Sequence, residues 1–265
     1  MTGSIGPSIA LVLSAAAAVL AQVPRDTGGV APADAATSPA ATTPQALAGK
    51  TVHIDAGHNG GNAKAPRTIN ALVDAGGGVR KACDTTGAET NDGSLTEAAF
   101  NLDVALRLRR LLRAEGARVV MTRTTNTGVG PCITKRAAIG NDAGADAAIS
   151  VHADGGPPSG RGFHVIRPKG SGGQDAAMLA ASDQLGRELR TALRAKGYRT
   201  ATYIARNGLD LRGDLGGLNL STVPKVFVEL GNMRNAADAR LLKSTKQRER
   251  MAQALADGLT AQLTS

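Results

Sequence analysis

The sequence predicts an α/β fold: a single domain with a mostly parallel or mixed central sheet and helices on both faces. Short apolar strand patterns alternate with longer helical patterns along most of the chain, as parallel strands joined by helical crossovers require. Gly116, Gly197 and Pro224 punctuate the pattern where elements should stop or start. The length of 265 residues, with 42% of them apolar, allows a sizeable core in one large domain or two small ones.

Thr51–Asp55 (TVHID) reads as a short strand ending before Gly57. The Gly-rich stretch 59–93 holds no clear element. Ser94–Ala114 reads as a helix. Leu95, Ala98, Leu102, Ala105 and Leu112 fall mostly on one face, and Arg107, Arg110 and Arg113 mostly on the other. Ala117–Thr122 is a strand, Ile133–Ala143 a helix, Ala147–Val151 (AAISV) a buried strand and Gly162–Ile166 (GFHVI) another. Asp175–Ala195 is a long helix, Lys225–Leu230 (KVFVEL) a strand, and Asn235–Leu263 a terminal helical region.

The first 49 residues are a different kind of sequence. They hold one basic residue, Arg25, against Asp26 and Asp34. Residues 8–21 (SIALVLSAAAAVLA) are apolar and uncharged, too short to span a bilayer comfortably but the right size for a secretory signal. Val19-Leu20-Ala21 fits a small-residue cleavage site, although no Lys or Arg precedes the run. A buried helix or an uncleaved anchor is the alternative. Residues 22–48 are rich in Ala, Pro and Thr, lack apolar periodicity and read as a disordered linker. The expected organisation is therefore a signal peptide over 1–21, a linker over 22–48 and a folded domain over 49–265. The expected location is outside the cytoplasm, periplasmic or secreted and wall-associated, with no stable membrane insertion after signal cleavage.

The two cysteines, Cys83 and Cys132, agree with export. An even, minimal pair favours one disulfide, with two free buried thiols as the alternative. Closing a loop of about 50 residues adds up to ~4 kcal/mol in the chain-entropy picture. With no C-x-x-C present, a thioredoxin-like or Cys-zinc reading has no support.

Composition narrows the partners. Lys and Arg number 31 against 22 Asp and Glu, for a formal charge of +9, which favours nucleic acid, anionic lipid or an acidic cell-surface polymer. Three Phe, two Tyr and no Trp supply few stacking platforms, which argues against base-stacking modules and aromatic sugar-binding faces.

Open α/β sheets bind ligands at the carboxyl ends of their strands. Three residues occupy such places: His58 in IDAGHNGG, His152 in AISVHADGG and Glu229 in VFVELGN. Two histidines need a further ligand for a catalytic zinc, and two histidines, a glutamate and water form one standard set. Glu97 is the best third ligand, because it opens the long helix. Ser94-Leu95-Thr96-Glu97 is equally a capping box, in which Glu97 only satisfies the Ser94 amide. His53 and His164 lie inside strands and read as structural.

The segments VHIDAGHNGG, TEAAFNLDVALRLRRLL, RVVMTRTTNTGVGPCITKRAAIGNDAGADAAISVHADGG and VPKVFVELGNMRNAADARLL, in this order, resemble the zinc-dependent N-acetylmuramoyl-L-alanine amidases of the amidase type 3 family. The resemblance covers about residues 50–263. It implies a single α/β domain and one zinc ion per chain. It assigns metal binding to His58, Glu97 and His152 and the catalytic carboxylate to Glu229. Glu97 is favoured as a ligand because Glu97 and Asn101 match the family's E-x-x-x-N. The sequence departs from the family at Ala56, where proline is usual, at Asn59, and in the length of 59–93.

The resemblance implies cleavage of the amide between N-acetylmuramic acid and L-alanine in peptidoglycan or its fragments. Arg67, Arg80 and Lys81 in the long loop are candidates for stem-peptide carboxylates, against a plain reading as solvated charges. A Cys83–Cys132 bond would fix the cleft wall without entering the chemistry. Competing readings are a zinc metallopeptidase acting within the stem peptide, a non-catalytic wall-binding module and a basic binder of nucleic acid or anionic polymer. Export and the scarce aromatics count against nucleic acid. The chain is expected to act as a monomer on peptidoglycan or muropeptide fragments.

Overall fold

A computed structural model describes residues 45–265. The expected signal segment, and the expected linker up to residue 44, lie outside the described residues. The fold begins earlier than the expected Gly49. Gln45–Ala48 form a turn, Leu47 is buried in the core, and its N–H donates to the Glu115 carbonyl at 2.8 Å. One leucine in an Ala/Pro/Thr-rich run carries no periodic signal, so its burial could not be read from the sequence.

The elements follow in order: β1 (Thr51–Ala56), α1 (Pro66–Ile69), β2 (Leu72–Asp74), β3 (Arg80–Ala82), α2 (Glu97–Ala114), β4 (Arg118–Met121), α3 (Ile133–Asp142) and β5 (Ala147–Asp154). After them come β6 (His164–Pro168), α4 (Ala176–Ala195), β7 (Leu209–Arg212), α5 (Gly216–Asn219), β8 (Lys225–Asn232), α6 (Ala236–Lys243) and α7 (Thr245–Thr264). Six strands form one mixed sheet in the order β4-β1-β5-β8-β6-β7. Every neighbouring pair is parallel except β6 and β8. A parallel return needs a crossover of a dozen or more residues, usually a helix. The short, helix-free 155–163 connection brings the chain back antiparallel.

The two faces of the sheet differ in chemistry. Val52, Ile54, Ile149, Val151, Val226 and Val228 join Phe100, Val104 and Leu108 of α2 and Leu185 and Leu189 of α4 in one continuous core. The alternate positions carry His53, Asp55, Ser150, His152, Lys225, Phe227 and Glu229, because side chains along a strand point to opposite faces. This polar face lies towards α3, where Arg136 pairs with Asp55, and towards α5, where Gly217 lies against the Phe227 ring.

Several expectations are corrected in detail. The stretch 59–93 contains α1 and a small antiparallel hairpin, β2–β3, built on three-residue strands too short to show periodicity. Gly76, Gly77 and Gly78 turn it with positive φ, where a side chain would be strained. The strand expected over 147–151 runs on to Asp154, so His152 lies inside β5. The terminal helical region divides at Ser244, whose hydroxyl caps α7 by accepting from the Gln247 N–H. Strand β7 and helix α5 carry no readable pattern and were not expected. Among the described residues, no helix is long and apolar enough to cross a membrane.

Candidate metal centre

Each central element delivers one functional side chain to the same cleft. The chain leaves β1 through Gly57 into His58, which adopts a left-handed backbone with φ of 57°. A non-glycine residue held there is strained, and such strain persists where the surroundings fix it. Gly57 leaves no room for a side chain, since a Cβ there would lie 2.2 Å from the His152 ring.

Glu97 is the first residue of α2. The cap of that helix is Thr96, whose hydroxyl accepts from the Ala99 N–H at 3.4 Å. The alternative capping box on Ser94 does not form: the helix starts two residues later than that box requires, and the Ser94 hydroxyl bonds to Asp92. This frees the Glu97 carboxylate to turn inward. Its Oε1 lies 3.2 Å from His58 Nε2 and 2.9 Å from His152 Nδ1. Its Oε2 accepts from the Ala88 N–H at 2.7 Å. Asn101, one turn on, donates to Glu97 Oε1 at 3.4 Å and to the Gly57 carbonyl at 3.2 Å, which gives the E-x-x-x-N spacing its physical reason.

His58, Glu97 and His152 thus offer two ring nitrogens and a carboxylate oxygen within 4.8 Å of one another, a group able to hold a metal ion. Two histidines and a glutamate are a donor set that suits a zinc ion. A Cβ at Gly87 would lie 2.8 Å from His58 and 2.9 Å from Glu97, so the glycine keeps that side of the group open. Burial opposes charge on His58, but the Glu97 and Asp84 carboxylates outweigh it and raise its pKa to about 10. The site draws in positive charge.

Glu229 stands beside His152 in register on the neighbouring parallel strand, so the two side chains share a face. Its Oε2 is buried without a hydrogen-bond partner. Burial, then the Glu97 and Asp154 carboxylates, push its pKa well above the usual carboxylate range. A buried polar atom left unpaired is costly in a native fold and is commonly found where function requires it.

These groups line a cavity of about 520 Å³. Ile133, Ile166, Leu215 and Phe227 add apolar surface to its lining, on which Lys81 and Arg212 also lie. Lys81 and Arg212 both bind Asp214, each with a 2.7 Å contact to its Oδ2. Of the three loop cations singled out in the sequence, only Lys81 reaches the cavity lining. Arg67 is exposed on α1, and Arg80 donates to the Leu72 carbonyl within its own hairpin. Arg212 was missed, because β7 has no readable pattern. Asp55, Asp84, Arg136 and Ser150, which surround the ligand group, were also missed. Nothing in their spacing sets them apart from ordinary strand, loop and helix residues.

The remaining expectations can be placed. Cys83 and Cys132 form a disulfide that ties the loop after β3 to the start of α3. His53 is buried, bonds to the Thr122 hydroxyl at 3.0 Å and packs under Gly140, a structural role. His164 is buried opposite Glu229 on β6, edge-on to the Tyr203 ring.

A mixed α/β sheet with two histidines and two glutamates converging on a cleft defines an enzyme with a candidate metal centre. Comparison with known proteins makes this specific. Residues 52–261 match the family model of N-acetylmuramoyl-L-alanine amidases, and the chain belongs to that family. An N-acetylmuramoyl-L-alanine amidase of Mycobacterium tuberculosis is 41% identical over 236 residues, covering 89% of this chain and 95% of the relative. The crystal structure of the N-acetylmuramyl-L-alanine amidase Ami1 from Mycobacterium smegmatis superposes with a TM-score of 0.77 at 41% identity, over 82% of this chain and 98% of that one. The apo form of Ami1 from Mycobacterium abscessus gives 0.77 at 42%, over 82% of this chain and all of that one (100%).

Proposed function

We propose that the protein is an exported zinc-dependent amidase that cleaves the bond between the lactyl group of N-acetylmuramic acid and the L-alanine of the stem peptide. Family membership supports the reaction. The observation that carries the residue assignment is the convergence of His58 Nε2, Glu97 Oε1 and His152 Nδ1 beside the unpaired Glu229 carboxylate.

His58, Glu97 and His152 are the residues that would hold zinc. When bound, zinc supplies Lewis acidity, which polarises a carbonyl and makes water a nucleophile near neutral pH. Glu229 is the general base and then the general acid. It takes the proton of the attacking water and returns it to the departing L-alanine nitrogen. Its raised proton affinity suits both tasks, since an ordinary carboxylate is too weak a base and too rarely protonated near pH 7. Ile166, Leu215 and Phe227 line the cavity with apolar surface, which would exclude water from around the bound substrate. Lys81 and Arg212 would meet a stem-peptide carboxylate in exchange for Asp214.

Digestion of muropeptide fragments tests this reading. Products should carry a free L-alanine amino group, and activity should disappear with a chelator and return with zinc. Cleavage inside the stem peptide would replace the amidase reading with a peptidase. Activity that survives complete zinc removal would overturn the metal assignment.

A further inference from the structure

The two ligand histidines present different ring nitrogens to Glu97, and the opposite nitrogen of each ring is already committed. His58 Nδ1 lies 3.3 Å from Asp84 Oδ1 and 3.2 Å from the Thr85 carbonyl, which only accept, and 3.1 Å from the Thr85 hydroxyl, which can accept as well. With a metal in place of the second proton, Nδ1 therefore carries the ring's one hydrogen, and the Nε2 lone pair is left for the centre. His152 Nε2 lies 3.1 Å from the Ser150 hydroxyl, and that hydroxyl reaches Asp55 Oδ2 at 3.0 Å. An ionised carboxylate only accepts. The Ser150 proton is thus spent on Asp55, its oxygen accepts from His152 Nε2–H, and the Nδ1 lone pair is left for the centre.

The two arms end on one side chain. Arg136 donates from Nη1 to Asp55 Oδ1 at 2.8 Å and from Nη2 to Asp84 Oδ2 at 2.9 Å. Arg136 and both aspartates are buried. The same guanidinium donates to the carbonyls of Ala56 at 2.9 Å and His58 at 3.0 Å, gripping the backbone on either side of Gly57. A guanidinium presents five donors in a rigid fork, and an ammonium cannot span both carboxylates and these carbonyls together.

We propose that Arg136 is the hub of a hydrogen-bonded chain, His58–Asp84–Arg136–Asp55–Ser150–His152, closed into a ring by the contacts of both histidines with Glu97, that fixes the tautomer and orientation of both metal-binding histidines. Arg136, Asp55, Asp84 and Ser150 are then positioning residues. The ring couples the two arms, so slackening one also loosens the other. The inference rests on the zinc reading above.

The test is the zinc affinity of the full chain by competition with a chelator, with the visible spectrum of the Co²⁺-loaded protein as a second readout. Wild type, Asp84→Asn, Ser150→Ala and the double variant are compared. Both single changes are small, which keeps the test independent of Arg136 variants that fail to fold. Each single variant should bind zinc about 10–100-fold more weakly, the usual effect of removing a partner behind a ligand histidine. Each should also shift the Co²⁺ bands, which a purely structural role would leave alone. The double variant should lose less than the product of the single losses. Single variants within about twofold of wild type overturn the ring, given the 10–100-fold expected. A double loss equal to that product overturns the coupling through Arg136. If wild type binds neither zinc nor cobalt, the zinc reading itself falls and takes the ring with it.

Discussion

The two faces of the central sheet are made by the same strands, one residue out of phase, and they do opposite jobs. Positions 52, 54, 149, 151, 226 and 228 are aliphatic and seal against α2 and α4. Positions 53, 55, 150, 152, 225, 227 and 229 hold two histidines, an aspartate, a serine, a lysine, a phenylalanine and a glutamate. Parallel strands covered on both faces usually read as unbroken apolar runs. Here the polar phase is held by pairing. Asp55 takes Arg136 at 2.8 Å and Lys225 at 3.3 Å, and these cations hold its carboxyl well below its usual range despite burial. The aliphatic face stabilises by removing apolar area from water. The polar face spends part of that stability to keep charged groups fixed and dry beside a cleft.

If the faces are separable in this way, changes on each should have different signatures. Glu229→Gln should lower kcat by about 10²–10⁴-fold, the range for a general acid–base group. Its melting temperature should be unchanged or higher, since an unpaired buried carboxylate is removed. A parallel drop in stability would break the comparison. Phe100→Ala, on the other face, should cost about 3–5 kcal/mol in denaturant unfolding. Its kcat per folded molecule should be retained well below the midpoint.

Replacing Cys83 and Cys132 together by Ser should remove about 2–4 kcal/mol, with activity kept in the folded, zinc-loaded protein. A large activity loss under those conditions would give the disulfide a part in the chemistry. His53 offers a pH test of the polar face. Burial and then the Lys225 charge lower its pKa from 6.5 to about 4. The unfolded chain binds the proton first as pH falls, so the native state is penalised progressively below pH 6.5. The penalty is about 2 kcal/mol at pH 5 by linkage. His53→Gln should show a shallower loss of melting temperature between pH 7 and 5 than wild type. The smallest effects belong to Arg67→Ala and Arg80→Ala, each expected within about 0.5 kcal/mol and without change in KM, as for exposed residues in general. Lys81→Ala, at the cavity, should raise KM with little change in kcat.

The four candidate site residues were legible because each sits in a short local signal that the family resemblance could use. His58 follows a strand into glycine, His152 and Glu229 lie near strand ends, and Glu97 opens a helix with Asn101 one turn later. What lay behind them was not legible. Asp84 and Arg136 are 52 residues apart, and Asp55 and Ser150 are 95 apart. No local pattern ties such pairs together. The hairpin β2–β3 and strand β7 escaped because three- and four-residue strands do not develop a period. Arg212 escaped with β7.

The sequence by itself determined the alternation of strands and helices, the metal-ligand candidates, the catalytic carboxylate candidate and the cysteine pair. The alternation, the strand-end candidates and the cysteine pair depend on residue type and near-neighbour spacing, which the chain carries along its length, and the roles of Glu97 and Glu229 came from the family resemblance. Only the tertiary structure decided that the Glu97 carboxylate turns inward to both histidines and not back to the Ser94 amide, because that turns on where it points once α2 meets β1 and β5. It also decided which loop cation reaches the cleft and that Arg136 joins the supports of both histidines. Those are contacts between distant segments, set by the sheet order and by the one-residue phase that sends alternate side chains to opposite faces.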